Sequence, residues 1–291
     1  MLYNQNKQIN KLKKAQQILK ILKNKGFEAF IVGGAVRDFC LRLPFEDIDV
    51  TTNAKFHHIK EIFSLCSKRN NYGSYQILFE KENFDITTYR KEGPYLDYRH
   101  PSYIEFTNNI KDDILRRDFT INSLLMDENN QIIDYVNGLY DLMHHQIKAI
   151  KNPYQKLKED SLRIMKIFYL QAKLNFNVEN KTYQALIQHI SLLKKLRAER
   201  ILQEIIKILN QKYLQRVFLS FQKTKALTFL NGFKKGILFV LENSITHIDE
   251  KMFLGLSFIL DNNLIKHFHF DKKRKKFLQK IANQYFKLKP F

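Results

Sequence analysis

Asp47-Ile48-Asp49 is the first place in this chain where residue types and spacing suggest chemistry. The run Asp47 to Thr51 alternates in character as a strand does, and side chains two apart on a strand share a face. Two carboxylates held side by side repel unless a cation neutralises them, which makes the pair a candidate divalent-metal site. Surface acid pairs are common, so the pair alone is weak. Upstream stands Ile31-Val32-Gly33-Gly34-Ala35-Val36-Arg37-Asp38, which reads as a strand entering a Gly-Gly turn that opens a helix. Such a turn lets phosphate approach backbone N–H groups, and Arg37 can add a fork of donors. The turn also has a plainer reading, glycine chosen for its backbone angle. A phosphate-holding turn shortly before a metal-binding acid pair is the arrangement that holds a nucleoside triphosphate with its metals. Asp85 lies in another predicted strand; a neighbouring position would make it a third ligand, placed to help deprotonate an attacking hydroxyl.

The elements that must position these residues follow from periodicity. Residues 5–24 carry apolar residues at helical spacing, with Gly26 ending the helix. Phe27 to Val32 reads as a buried strand, Ala35 to Leu43 as a short helix stopped by Pro44, and Lys55 to Leu65 as a helix. Tyr75 to Glu80 and Asn83 to Tyr89 read as two strands joined at Lys81-Glu82. Lys91 to Ser102 has no period and reads as a loop, Ile110 to Met126 as one helix, and Ile132 to Tyr135 as a short extended run. Beyond Pro153 the patterns 156–174, 179–194 and 198–213 are helical. The first half is therefore α+β and the second all-α, dividing near residue 150.

The chain has 291 residues with a formal net charge of +20, which fits a polyanionic partner. Codon bias toward Lys, Asn, Ile and Phe is the competing explanation of that charge. Against it, Lys251 to Phe291 hold ten Lys/Arg and only Asp261 and Asp271, with the excess at Lys272, Lys273, Arg274, Lys275 and Lys276. Two cysteines, Cys40 and Cys66, are too few for a disulfide framework or zinc site and read as buried thiols of a reducing, cytoplasmic setting. No apolar run is long enough to span a bilayer and no signal-peptide core opens the chain, so no membrane is expected; no obligate protein partner is evident from the sequence.

Taken together, Gly33-Gly34-x-Val36-Arg37-Asp38 and Asp47-x-Asp49 resemble motif A of the class II tRNA nucleotidyltransferases, or CCA-adding enzymes, and of the related bacterial poly(A) polymerases. The resemblance continues through Asp85 to Arg90 and through Arg116-Arg117-Asp118-Phe119-Thr120-Ile121-Asn122, which looks like motif B. Asp134 to Asp141 looks like motif C, Glu159-Asp160-Ser161-Leu162-Arg163 like motif D, and Glu199-Arg200-Ile201 with Glu204 like motif E. The family implies a polymerase-β-like α+β nucleotidyltransferase head with a small mixed sheet over 1–150. A helical neck over 151–215 and a reduced helical body and tail over 216–291 would follow.

By that resemblance Asp47 and Asp49 would hold two Mg²⁺ ions and Asp85 would be the third carboxylate. Gly33, Gly34 and Arg37 would meet the triphosphate, and Arg117 with Asp118 the sugar and phosphates. Asp160 and Arg163, three apart and so on one helix face, would select the base. A carboxylate accepts from the exocyclic amine of cytosine or adenine and a guanidinium donates to ring acceptors, so CTP and ATP would both fit. An ordinary surface ion pair is the plainer reading of those two residues. The substrates would be CTP, ATP and tRNA, gripped through the basic C-terminus. Arg90 to Pro101 resembles the intact loop of enzymes that add all three nucleotides; A-adding, CC-adding and poly(A)-adding activities are the alternatives. The sequence departs from the family at Lys166 and Tyr169, where arginine is usual, at Arg42, where glycine is common, and in its short body and tail. Lys keeps charge at 166 but loses a planar fork. No phosphohydrolase domain is recognisable.

Overall fold

The amphipathic N-terminal segment folds as helix α1 (Leu2–Asn24), burying Ala15, Ile18, Leu19 and Leu22 while Lys13 and Lys20 stay exposed. The computed structural model describes residues 2–68, 72–268 and 270–288. It divides the chain into one unit of Met1–Leu96 and His100–Asn152 and a second of Asp97–Arg99 and Pro153–Phe291.

In the first unit the strands are β1 (Ala29–Val32), β2 (Asp49–Thr52), β3 (Cys66–Lys68), β4 (Ser74–Phe79), β5 (Glu82–Thr88), β6 (Arg90–Glu92), β7 (Ile104–Phe106), β8 (Leu125–Met126), β9 (Ile132–Ile133) and β10 (Gln146–Ile147). Helices α2 (Gly34–Cys40), α3 (Phe56–Ile62), α4 (Ile110–Arg116) and α5 (Gly138–Met143) connect them. Seven strands form one mixed sheet in the order β3-β4-β5-β2-β1-β8-β9, with β2 and β5 parallel and the other neighbours antiparallel. Parallel pairing of β2 with β5 requires a crossover, supplied by α3 and the β3–β4 hairpin. β6 and β7 make a separate hairpin flanking the loop, so the expected loop opens in a strand, at Lys91 and Glu92.

Several expectations are corrected. β2 starts at Asp49, so Asp47 precedes the strand. The β4–β5 turn is Glu80-Lys81, both at positive φ (46° and 67°), a mirror-type turn whose twist suits a two-residue hairpin. The helix expected over 110–126 stops at Arg116. Arg117 is already extended, the Asp118 carboxylate accepts the Phe119 amide at 2.8 Å, and Phe119 bridges to Ala149. A carboxylate that captures a nearby amide competes with the helical ladder.

The second unit is built of α6 (Pro153–Glu159), α7 (Leu162–Leu174), α8 (Asn180–His189), α9 (Ala198–Leu209), α10 (Leu214–Lys223), α11 (Lys234–Glu242), α12 (Glu250–Leu260), α13 (Leu264–His267) and α14 (Lys272–Leu288), with one two-residue strand, β11 (Asn177–Val178), in the half expected to be all-α. Its core is a relay of phenylalanine rings: Phe168 on Phe221, Phe221 on Phe218, Phe218 on Phe253, Phe253 on Phe233, and Phe233 on Phe268, with centroids 4.5–6.0 Å apart. Among the described residues no helix is long and apolar enough to cross a membrane. Cys40 and Cys66 are free and half-buried rather than core thiols.

Candidate active site

The sheet register assembles the acids. Asp49 lies between Val32 of β1 and Asp85 of β5. Ile48 and Val50 are buried while Asp47 and Asp49 are exposed, so the alternation that puts both acids on one side holds although Asp47 is outside the strand. Gly33 directly follows Val32 and sits at φ +87°, a left-handed angle that favours glycine. A Cβ added there would meet Asp49 Oδ2 at 3.7 Å, which puts that carboxylate against the turn. The Gln76 amide donates to Asp85 Oδ1 at 3.4 Å.

Among the described residues no group of three or more His, Cys, Asp or Glu side chains forms a ready-made metal cage. Mg²⁺ does not demand one: it keeps several waters and takes one or two protein carboxylates plus substrate phosphates. An oxygen-only donor set, exposed at Asp47 and Asp49 and lying beside a glycine turn, fits that habit.

Arg37 is placed differently from expectation. Its side chain is buried, and its Nε and Nη2 donate to the two Asp38 oxygens at 2.8 and 2.9 Å. Its Nη1 donates to Asn122 Oδ1 at 2.6 Å, and Asn122 Nδ2 reaches Asp118 Oδ1 at 3.4 Å. A Cβ on Gly34 would lie 3.5 Å from Arg37 Nη2. The guanidinium thus braces the turn from beneath and ties it to Asp118.

Asp113, fully buried in α4, organises the other side. Its Oδ2 accepts from Arg117 Nη2 at 2.9 Å and Nε at 3.3 Å, and from the Thr51 hydroxyl at 3.2 Å. Its Oδ1 accepts from Arg116 Nε at 2.8 Å. Arg116 Nη1 continues to Glu92 Oε1 at 3.2 Å, which also takes Arg90 Nη2 at 2.7 Å. The acids that resemble motif C serve the frame: Asp141, buried, accepts from Thr120 Oγ1 at 2.7 Å, and Asp134 takes the amides of Val136 and Leu139.

In the second unit Asp160 and Arg163 are only 7% and 5% exposed, which removes the surface-pair reading. They do not ride one helix, because Asp160 lies in the break between α6 and α7 with Oδ1 accepting the Leu162 amide at 3.0 Å. Asp160 Oδ2 accepts from Arg99 Nη1 at 2.7 Å, and Arg163 Nη1 donates to Lys156 O at 2.7 Å and Glu159 Oε2 at 2.9 Å. Lys166, half-buried, is one turn further along α7. Lys272, Lys273, Lys275 and Lys276 open α14, all exposed but the half-buried Lys275, and Arg274 pairs with Glu250 at 2.7 Å. Glu204 is buried between Arg200 (3.2 Å) and Lys207 (3.0 Å).

Sequence reasoning missed Asp113, Thr51 and Asn122 as partners of expected site residues in the first unit, and Arg99 as the partner of Asp160 in the second. Only Asp113 carried a signal, its i,i+4 spacing to Arg117; the others depend on contacts between distant segments.

Residues 29–148 match the family described as "Poly A polymerase head domain", and residues 175–233 match "Probable RNA and SrmB- binding site of polymerase A". The CCA-adding enzyme of Lactobacillus helveticus is 42% identical over 196 residues, 67% of this chain and 49% of that protein. That of Staphylococcus saprophyticus is 34% identical over 276 residues, 93% of this chain and 69% of that protein. The chain thus spans from about half to about two thirds of the length of these relatives. In fold it is similar to the Bacillus stearothermophilus CCA-adding enzyme in complex with CTP, with TM-score 0.74, 24% identity, and coverage of 93% of this chain and 70% of that one. The Thermotoga maritima CCA-adding enzyme complexed with tRNA gives TM-score 0.70 at 17% identity, covering 92% and 68%. Motifs in order, a mixed-sheet unit followed by a mostly helical one, and a relative matched along most of both chains place this chain in the family of the CCA-adding enzymes.

Proposed function

We propose that this protein adds the terminal CCA of tRNA without a template, transferring nucleotides from CTP and ATP to the 3′-hydroxyl and releasing pyrophosphate. The observation that carries the reading is the Asp49 carboxylate, flanked in register by Asp85 and lying against the Gly33 turn. Asp47 and Asp49 would hold two Mg²⁺ ions. Bound there, Mg²⁺ supplies charge neutralisation at the phosphoryl oxygens and acidifies the attacking hydroxyl. Asp85, in register with Asp49, would receive that hydroxyl's proton. Gly33 and Gly34 leave the backbone open to the triphosphate over a turn braced by Arg37, while Arg117 and Asp118 meet the phosphates and sugar. Asp160 accepts from the amine shared by cytosine and adenine, Arg163 donates to the ring, and Lys166 adds a point charge. Lys272, Lys273, Arg274, Lys275 and Lys276 hold the tRNA backbone. We read 1–150 as head, 151–215 as neck and 216–291 as body and tail, acting in the cytoplasm with no obligate protein partner.

The test offers the chain, with Mg²⁺, tRNAs lacking three, two or one terminal nucleotides and each nucleoside triphosphate in turn. Ordered use of CTP then ATP, with UTP and GTP rejected, is expected, and Asp49→Ala should abolish incorporation while tRNA binding persists. Ladders of AMP would make it a poly(A) polymerase, addition of A or CC alone a specialist, and binding without incorporation by the wild type a non-catalytic RNA-binding protein.

A further inference from the structure

We infer that Asp113 is a positioning residue that fixes Arg117 in the orientation needed to meet the triphosphate; the inference rests on the nucleotidyl transfer proposed above. Thr51 is two residues beyond Asp49 on β2 and so shares its face of the sheet. Its hydroxyl holds Asp113 Oδ2 at 3.2 Å, and the same oxygen holds Arg117 Nη2 at 2.9 Å and Nε at 3.3 Å. The strand that carries the acid of the site is therefore linked to the arginine of the site through one carboxylate.

The geometry of the clamp is one-sided. Asp113 takes Arg117 by its Nε–Nη2 edge, and among the described residues the Nη1 of Arg117 has no hydrogen-bond partner. Arg117 stands just past the end of α4, where the chain is extended, and its side chain is 17% exposed. Left alone, a long guanidinium side chain at such a point samples many rotamers. With one edge clamped, the remaining N–H groups have a fixed direction. Arg37, whose three nitrogens are all engaged in bracing the turn, has no such edge. Asp113 is also the wrong residue for packing alone. A fully buried carboxylate is costly unless its partners match it, and an apolar side chain would join α4 to the sheet at less cost. Arg116, on the other oxygen, balances the second charge and leaves Arg117 only half of the neutralising duty.

A double-mutant cycle over Asp113→Asn and Arg117→Ala tests this, reading KM and kcat for CTP and ATP, CTP affinity with Mg²⁺ in the absence of RNA, and thermal stability. Each single change should raise KM and the CTP dissociation constant about tenfold, the size of one charge-assisted hydrogen bond. The double variant should be no worse than Arg117→Ala. Thr51→Val, which removes only the hydroxyl link, should weaken CTP in the wild-type background and have no effect on the Arg117→Ala background; it serves if Asp113→Asn does not fold. Multiplying effects in the double variant, or an unchanged KM and CTP affinity in both Asp113→Asn and Thr51→Val, would overturn the inference. If the wild type binds CTP but transfers nothing, the transfer reading falls by itself, and the affinity cycle still decides whether Asp113 acts through Arg117.

Discussion

Burial alone would push the Asp113 carboxyl toward its neutral form, but the guanidinium groups of Arg116 and Arg117 outweigh that and bring its pKa from 3.8 down to about 2. Glu92 is lowered in the same way, against burial, by Arg116 and Arg90. A carboxyl whose folded pKa lies below its unfolded one binds fewer protons in the native state. Its stabilisation is therefore complete above about pH 4 and is lost as the pH falls toward 2. For Asp113 that amounts to on the order of 2 kcal/mol. Urea unfolding of wild type and Asp113→Asn across this range should show the stability gap closing as acid is added; a gap that stays constant would mean that the native carboxyl carries no extra affinity for its charge. At this scale the sequence was informative where chemistry is local. Asp47 and Asp49 share a face because strand alternation is local, whereas the partnership of Asp85 depends on a crossover. The burial of Arg37 against Asp38 and Asn122 was hidden because Asn122 is 85 residues away.

Elements stop and start here through side chains that intercept the backbone. Asp118 ends the helical run after Arg116, and Asp160 separates α6 from α7. Periodicity reads both as helix interior, since apolar spacing does not register a carboxylate turning on its own chain. Arg42 is the reverse case. The sequence marked it as unusual because glycine is common there in the family, and the structure supplies the reason: it follows the end of α2 with φ +54°, the left-handed position at which helices favour glycine. Arg42→Gly should therefore stabilise the first unit by about 0.5–1 kcal/mol, the left-handed cost removed less the added freedom of the unfolded glycine. A shift of the denaturant midpoint upward at unchanged slope would register it, and a downward shift would show that the arginine side chain contributes more than its backbone costs.

For the molecule as a whole, the change from mixed sheet to mostly helical structure was legible from where strand patterns fade, whereas the two-residue strand Asn177–Val178 was too short to register. The ring relay through the helical unit was not, because phenylalanine abundance looked like codon usage and spacing cannot say which rings meet. Charge acts at this scale too. α14 opens with four lysines and no acid in its first turn, an arrangement its own dipole disfavours and a phosphate backbone would relieve. Replacing Lys272, Lys273, Lys275 and Lys276 by Gln should weaken tRNA binding across sequences and flatten the log–log salt dependence by roughly 0.7–0.9 for each phosphate no longer neutralised. An unchanged slope in filter binding would send the tRNA elsewhere. The parallel β2–β5 register has a further consequence. Sliding β5 by one residue would set Phe84 or Ile86 opposite Asp49, and would also turn the buried faces of both residues out to water. Correct alignment of the acids and closure of the core are thus one and the same event. Molecules that stay soluble after refolding should be competent ones, and batches differing widely in yield should share a common specific activity.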